Sequence, residues 1–243
     1  MNMKRRDDPV VDLPDAIGGR PGGRLRAASR WRTRRVRSNV ATAAAVALKR
    51  AVDVVGAIAL MVLFLPIFLV VPILIKLEDP GPVLFWQDRV GKWGVVFRFP
   101  KFRSMVTNAE ALKATLLREN DHGHSVTFKM KRDPRVTRVG SFLRRTSLDE
   151  LPQLWSVLRG DMSLVGPRPP VPSEVELYTP EDRRRLDVRP GLTCLWQVSG
   201  RGDIPFPEQV ELDAEYIESR GFWTDVWLLL RTIPAVVFGR GAY

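Results

Sequence analysis

The sequence predicts an α/β, mostly helical fold: a membrane helix-break-helix segment, then a small domain with a short β-hairpin and surface amphipathic helices. Three observations predict it. Residues 54–75 run without a charge and carry Pro66 near the middle. Two short β-like runs flank a turn containing Gly91 and Gly94. Leu148, Leu151, Leu154, Trp155 and Leu158 recur at helical spacing.

The membrane segment reads VVGAIALMVLFLPIFLVVPILI, 22 residues. As one straight helix it would be about 33 Å long, enough to cross a hydrocarbon core. It starts too deep in the chain for a cleaved leader, and no small-residue cleavage site follows it. Pro66 removes a backbone hydrogen bond and crowds the preceding turn. The two arms it leaves are each roughly 15–18 Å long, too short to span. Lys49 and Arg50 precede the segment, and Lys76, Arg89, Lys92, Arg98, Lys101 and Arg103 follow it. Positive-inside logic puts both flanks on the cytoplasmic side, which a re-entrant helix satisfies. On the residues alone, re-entrant and spanning readings stand side by side.

Ahead of the segment, residues 1–39 hold 11 basic and 4 acidic residues, a net of +7 in a chain of net +11. This Gly-, Pro- and Arg-rich stretch has no apolar period and is expected to be a disordered tail. A solvated tail and one drawn to anionic lipid are both open, and the neighbouring apolar segment favours lipid over nucleic acid. One cysteine in 243 residues excludes a disulfide framework. Hydrophobic content of 45% excludes a wholly disordered chain and is too low for a polytopic membrane protein.

Beyond the segment, residues 82–87 and 95–99 form the hairpin strands, with 88–94 as the turn. Residues 107–118 read as an amphipathic helix. His122 and His124 could bind metal, but two histidines and one cysteine in the whole chain give them no partners, so an exposed loop is expected. Residues 222–238 carry Asp225 and Arg231, too costly for a span. A helix at the membrane surface, which Trp223 and Trp227 with their apolar neighbours suit, and a helix docked on the core are equally compatible.

Residues 147–158, SLDELPQLWSVL, carry the most chemistry. Ser147 and Glu150 fit a capping box, although Pro152 leaves the first helical residue unsettled. Asp149 and Glu150 fall at or near a helix N-terminus, with Arg144 and Arg145 just upstream. A helix N-terminus suits phosphate, arginine grips phosphate oxygens, and aspartate can hold Mg²⁺ or attack phosphorus. A capped helix with an acidic first turn is the plain alternative. Pro167-Arg168-Pro169 is a stiff turn presenting one arginine, and residues 199–202 place Arg201 in a loop. Lys101, Arg103, Arg144, Arg145, Arg168 and Arg201 are candidates to converge on an anionic substrate.

Taken together, these motifs resemble the bacterial sugar transferases of the monotopic phosphoglycosyl transferase superfamily. The resemblance runs from about Lys49 to Tyr243. It covers the apolar segment with Pro66, GPVLF at 81–85, KFRSM at 101–105, LRRTSLDELPQ at 143–153 and GDMSLVGPRP at 160–169. It continues through RPGLT at 189–193 and WQVSGR at 196–201. It implies a re-entrant membrane helix bent at Pro66, a catalytic Asp149–Glu150 dyad and Mg²⁺ bound through Asp149. Arg144 and Pro167-Arg168-Pro169 match substrate-side elements of the family. Pro100, Ser156 and Cys194 depart from its usual pattern, and Cys194 puts the local turn geometry in doubt. The chain looks like a short form of the family.

The implied organisation is a tail at 1–39, a re-entrant helix at 40–78 and a cytosolic catalytic domain at 79–243, on the cytoplasmic face of a bacterial inner membrane. The implied reaction moves a sugar 1-phosphate from a UDP-sugar to polyprenyl (undecaprenyl) phosphate, giving polyprenyl-diphospho-sugar and UMP through an aspartyl intermediate. This step would initiate exopolysaccharide or glycoconjugate synthesis. Expected partners are UDP-sugar, polyprenyl phosphate and membrane lipid, with no nucleic acid and a homodimer left open. The closing Gly241-Ala242-Tyr243 is similar to hexose 1-phosphate transferases, pointing to glucose or galactose. Two other classes compete: a membrane-bound Mg²⁺-dependent phosphohydrolase of nucleotide sugars, and a non-catalytic scaffold, which the intact dyad disfavours.

Overall fold

The computed structural model describes residues 43–116 and 133–238. The expected tail, the His122–His124 loop and the closing Gly241-Ala242-Tyr243 lie outside the described residues. The chain divides into two compact units, Met1–Ala47 and Leu48–Tyr243. In the first, the described residues are 43–47, the opening of helix α1.

Helices α1 (Ala43–Leu63) and α2 (Leu65–Glu78) meet at a 59° bend. The break falls at Phe64, two residues ahead of Pro66, which occupies the first turn of α2. The proline has no N–H to return to Val62, and its ring crowds that carbonyl, so the first helix ends before it. Among the described residues no single helix is long and apolar enough to cross a membrane; the bent pair passes that test only together. Its outer surface is apolar and bare: Val55, Val62, Leu63, Leu69 and Leu77 are 64–77% exposed. On the inner side, Val71 and Ile75 pack with Phe102 and Leu143.

The hairpin pairs β1 (Leu84–Val90) with β2 (Val96–Phe102), both longer than the sequence suggested. Its register sets Arg89 against Phe97, Gln87 against Phe99 and Phe85 against Lys101. Strand alternation therefore places Arg89, Phe97, Phe99 and Lys101 on one face. Phe97 and Phe99 enter the main core with Leu154, Val157, Met162 and Leu228. Phe102, on the opposite face, joins the core beneath α2.

Helix α3 (Ala109–Leu116) begins two residues later than the expected 107–118 helix, residues 107–108 forming a turn, and 117–118 lie outside the described residues. Helix α4 (Arg138–Arg145) is capped by Thr137, whose hydroxyl oxygen accepts from Gly140 N at 2.9 Å. Glu78, the last residue of α2, also accepts from Arg138 N and Val139 N at 2.7 and 2.8 Å. One carboxylate thus ties the bent pair to the helix that carries Arg144.

The stretch from 147 to 158 is not one helix. Leu148–Gln153 is a 3₁₀ segment and α5 (Leu154–Arg159) follows it. The expected capping box does not form: Ser147 is left-handed at φ 57° and caps nothing with its side chain. The change of pitch also breaks the apolar face, leaving Leu154 fully buried and Trp155 51% exposed.

Residues 191–193, within the RPGLT motif, form a strand. β3 (Ser163–Val165) and β4 (Gly191–Thr193) form a parallel pair too short to register as a pattern in sequence. Gly166 N donates to Thr193 O at 3.0 Å and Gly191 N to Pro167 O at 2.9 Å. A Cβ on Gly191 would meet Gly166 N at 2.0 Å, so the crossing demands glycine. Short helices α6 (Pro172–Glu176) and α7 (Leu195–Ser199) precede the longer α8 (Phe206–Ser219) and α9 (Phe222–Phe238). Among the described residues the chain is thus mostly helical, with two small two-stranded sheets.

Helix α9 docks on the core, which is one of the two sequence readings. Leu228 is fully buried and Asp225 nearly so, while Trp223 and Leu230 are exposed on its outer side. Lys49 and Arg50 act as structural groups. Lys49 Nζ pairs with Asp225 Oδ2 at 2.6 Å, and Tyr216 Oη donates to Asp225 Oδ1 at 2.9 Å. Arg50 donates to Val157 O and Leu158 O at 2.6 and 2.7 Å, taking up carbonyls near the end of α5. Asp53 Oδ1 accepts from Ser163 Oγ and Leu164 N at 2.9 and 3.0 Å. The root of α1 is therefore bonded into β3, α5 and α9.

Candidate active site

Asp149 and Glu150 lie in the first turn of the 3₁₀ segment, against strand β2. The left-handed Ser147 turns the chain sharply after α4, and Pro152 and Gln153 are buried behind the dyad. Glu150 Oε1 accepts from Lys101 Nζ at 2.7 Å and from Arg168 Nη1 at 3.1 Å. Lys101 Nζ stands 3.8 Å from Asp149 Oδ2, beyond hydrogen-bonding distance. Two adjacent carboxylates thus have unequal surroundings.

Their ionisation follows from that inequality. Burial pushes the Asp149 carboxyl up to about 6, and the Glu150 charge adds to the rise; Lys101, Arg144 and Arg168 pull the other way. Burial also opposes a charge on Glu150, but Lys101 and Arg168, which also bond it, hold it well below the usual carboxylate range. Glu150 is a fixed anion. Asp149 is the carboxylate whose proton is within reach near neutrality.

Arg168 reaches Glu150 because its flanking prolines are buried and their carbonyls are engaged. Pro167 O accepts from Gly191 N, and Pro169 O from Arg89 Nη1 at 2.9 Å. Arg144 is half-buried on the last turn of α4 and acts on Asp149 through its charge. Arg201 is half-buried at φ 54°, has its Nη1 buried without a partner among the described residues, and feels the Glu150 charge.

Two predicted residues do not join this group. Arg103 turns to Asp79, bonding its carbonyl and facing its carboxylate at 3.8 Å, so it fastens the end of α2 to the end of β2. Arg145 is exposed on α4. The helix N-terminus expected to receive phosphate is a six-residue 3₁₀ segment, so side-chain cations dominate the local field. Cys194 sits fully buried at an ordinary extended φ of −145°, and burial pushes its thiol well up. The turn it occupies therefore needs no glycine.

In the sequence Arg89 counts only as a positive charge flanking the apolar segment. The structure places it beside the site, its guanidinium 5.3 Å from the Phe99 ring centre and donating to Gln87 Oε1 at 2.7 Å. The alternation of β1 and β2 was the available signal, since Arg89 and Lys101 fall on one face once the register is known. A surface cavity of about 500 Å³ lined by Trp86, Val96, Arg98 and Arg159 shares no residue with the dyad.

Among the described residues no three His, Cys, Asp or Glu side chains cluster to cage a metal. One or two carboxylates that take their remaining ligands from a diphosphate and water are the usual Mg²⁺ arrangement. The Asp149–Glu150 pair fits that donor set, with Asp149 the less engaged of the two.

Comparison with known proteins places this geometry in a family. A galactosyl transferase, CpsE, of Streptococcus agalactiae is 47% identical over 196 residues, 80% of this chain but 43% of that protein. The exopolysaccharide production protein ExoY of Rhizobium meliloti is 42% identical over 198 residues, 80% of this chain and 88% of that protein. The UDP-glucose:undecaprenyl-phosphate glucose-1-phosphate transferase of Caulobacter vibrioides is 42% identical over 203 residues, covering 80% and 72%. The chain thus spans less than half the length of the streptococcal relative and most of the rhizobial one. The family profile described as bacterial sugar transferase matches residues 44–239, so this chain belongs to the bacterial sugar transferase family.

Proposed function

We propose that this chain transfers a sugar 1-phosphate from a UDP-sugar to polyprenyl phosphate, releasing UMP, as a first step of exopolysaccharide or glycoconjugate assembly. One observation carries the reading: Lys101 and Arg168 both bond Glu150 and leave Asp149 the less engaged carboxylate. The names of relatives supply the substrate class, since they join a UDP-sugar to undecaprenyl phosphate and connect the family to galactosyl transfer and exopolysaccharide. The donor sugar is a hexose, glucose or galactose.

In this reading Asp149 attacks the β-phosphorus of the UDP-sugar. A carboxylate oxygen–phosphorus bond forms, the bond to the UMP oxygen breaks, and UMP leaves with the electron pair. An oxygen of polyprenyl phosphate then attacks the same phosphorus, and the Asp149 carboxylate departs with its electrons. Splitting the transfer lets a soluble donor and a lipid acceptor use one site in turn. Arg168, Lys101, Arg144 and Arg201 neutralise the charge of the transferring group. Glu150 holds Lys101 and Arg168 in place and, as a fixed anion, is a poor proton acceptor. Mg²⁺ held by Asp149 with the donor diphosphate would neutralise further charge.

The bent pair α1–α2 enters and leaves the cytoplasmic leaflet of a bacterial inner membrane. Its bare apolar surface and its 59° bend support this, and among the described residues neither helix alone is both long and apolar enough to cross. Trp223, Trp227 and Leu230 on α9 are exposed and suit the same lipid boundary. A UMP-release assay over a panel of UDP-sugars, with polyprenyl phosphate and product analysis, tests the reading. A sugar diphospholipid with equimolar UMP is expected. Free sugar phosphate as the sole product would mean a hydrolase.

A further inference from the structure

We propose that Arg89 is a positioning residue for the transfer, acting through the Pro167-Arg168-Pro169 turn to hold Arg168 against Glu150. This role rests on the transferase reading of the site. Arg89 Nη1 donates to Pro169 O at 2.9 Å, and the next backbone N–H, of Val90, donates to Pro170 O at 2.9 Å. The end of β1 therefore grips two consecutive carbonyls just after Arg168. The other side of the turn is held by the Gly166–Thr193 and Gly191–Pro167 bonds. Arg168 is the residue between two fixed ends, and its guanidinium meets Glu150 at 3.1 Å.

Arg89 is itself fixed from three sides. Its second nitrogen donates to Gln87 Oε1 at 2.7 Å. Its guanidinium carbon lies 5.3 Å from the ring centre of Phe99, which is 1% exposed and so cannot shift without disturbing the core. Lys101 Nζ lies 5.5 Å from the centre of the same ring. Two cations thus share one aromatic floor: Lys101 reaches Glu150 directly, and Arg89 reaches it through the turn. Burial and the nearby Arg168 charge bring Arg89 down to about 10, which still leaves it protonated at neutral pH. The guanidinium fork makes both bonds from two nitrogens, where the single nitrogen of an ammonium on a shorter reach would keep one.

A double-mutant cycle tests this: Arg89→Gln, Arg168→Gln and the double variant, with Arg89→Lys, all in membrane-mimetic particles. The readouts are kcat and KM for UMP release, and hydrogen exchange across residues 163–171. Displacing a charge-stabilising group this way is expected to lower kcat on the order of 10- to 100-fold, with KM for the donor little changed. The double variant should be no slower than Arg168→Gln alone, because Arg89 acts through it. Arg89→Lys should recover part of the rate, and exchange should rise across 163–171 in both Arg89 variants.

Multiplying losses in the double variant, a rise in KM alone, or a wild-type rate in Arg89→Gln would overturn the role. If Arg89→Gln does not fold, Arg89→Lys in the same cycle with Arg168→Gln decides the matter. Absence of UMP release from the wild type would sink the transferase reading. The exchange measurement would still report whether Arg89 holds the turn.

Discussion

Glu150 Oε1 lies 2.7 Å from Lys101 Nζ and 3.1 Å from Arg168 Nη1, while Asp149 Oδ2 is 3.8 Å from the same lysine nitrogen. Neighbouring carboxylates on one short segment have been made chemically different by what stands opposite them. In the proposed transfer the less engaged Asp149 would be the nucleophile and Glu150 the fixed anion.

The first prediction concerns those two roles. Asp149→Asn should abolish turnover and also the single equivalent of UMP released without acceptor. Glu150→Gln should keep a slow release, reduced about 100-fold through loss of the Lys101 and Arg168 anchor. Intact mass after incubation with UDP-sugar alone reads the adduct: a sugar-phosphate increment in the wild type, none in Asp149→Asn. An adduct in Asp149→Asn would move the nucleophile elsewhere.

The pH dependence follows from the Asp149 carboxyl, raised by burial to about 6. Reactivity requires the ionised form, so the rate is present above that value and lost as pH falls through it. Mg²⁺ on the same carboxylate would move the limb lower. Lys101→Met removes a charge that favours ionisation and should shift the acid limb upward. A downward shift in kcat/KM profiles for Lys101→Met would contradict the arrangement.

Metal removal is the third test. With two carboxylates at the site and no third ligand clustered with them among the described residues, Mg²⁺ would depend on the donor diphosphate for ligands. EDTA should abolish UMP release and added Mg²⁺ should restore it, with the apparent metal affinity rising with UDP-sugar concentration. Full turnover in metal-free buffer would remove Asp149 from that role.

Topology can be read by cysteine labelling in a Cys194→Ser background. Ala44→Cys and Val95→Cys lie on opposite chain sides of the α1–α2 bend, and both positions are exposed. A re-entrant pair puts both on the cytoplasmic side, closed to an impermeant thiol reagent applied from the periplasm. Labelling of either one from outside would favour a span.

Stability tests the root of α1. Asp225 takes Lys49 at 2.6 Å and Tyr216 Oη at 2.9 Å in a mostly buried setting. Asp225→Ala leaves Lys49 without this partner and should destabilise by about 1–2 kcal/mol, seen as a lower midpoint of thermal unfolding in detergent. An unchanged midpoint would show that this network contributes little.

Much of this molecule was determined by local sequence. The 22-residue apolar run, the helix break caused by Pro66 and the hairpin around Gly91 and Gly94 follow from length, ring geometry and turn chemistry. The dyad and the Pro-Arg-Pro turn were likewise visible as motifs. Long-range contacts decided the rest. A left-handed Ser147 replaced the expected capping box and sent Glu150 to Lys101 and Arg168. Three-residue strands at 163–165 and 191–193 pair across a long crossover and leave no periodicity to read. Which arginines reach the dyad was undecidable in advance, because every one of them had the same charge. Arg103 spends its charge on Asp79, while Arg89, two bonds away through Pro169, was never a candidate. Periodicity and proline act over a few residues, so sequence reports them; a salt bridge is chosen by whichever partner the fold brings within about 4 Å, and only the tertiary structure sets that distance.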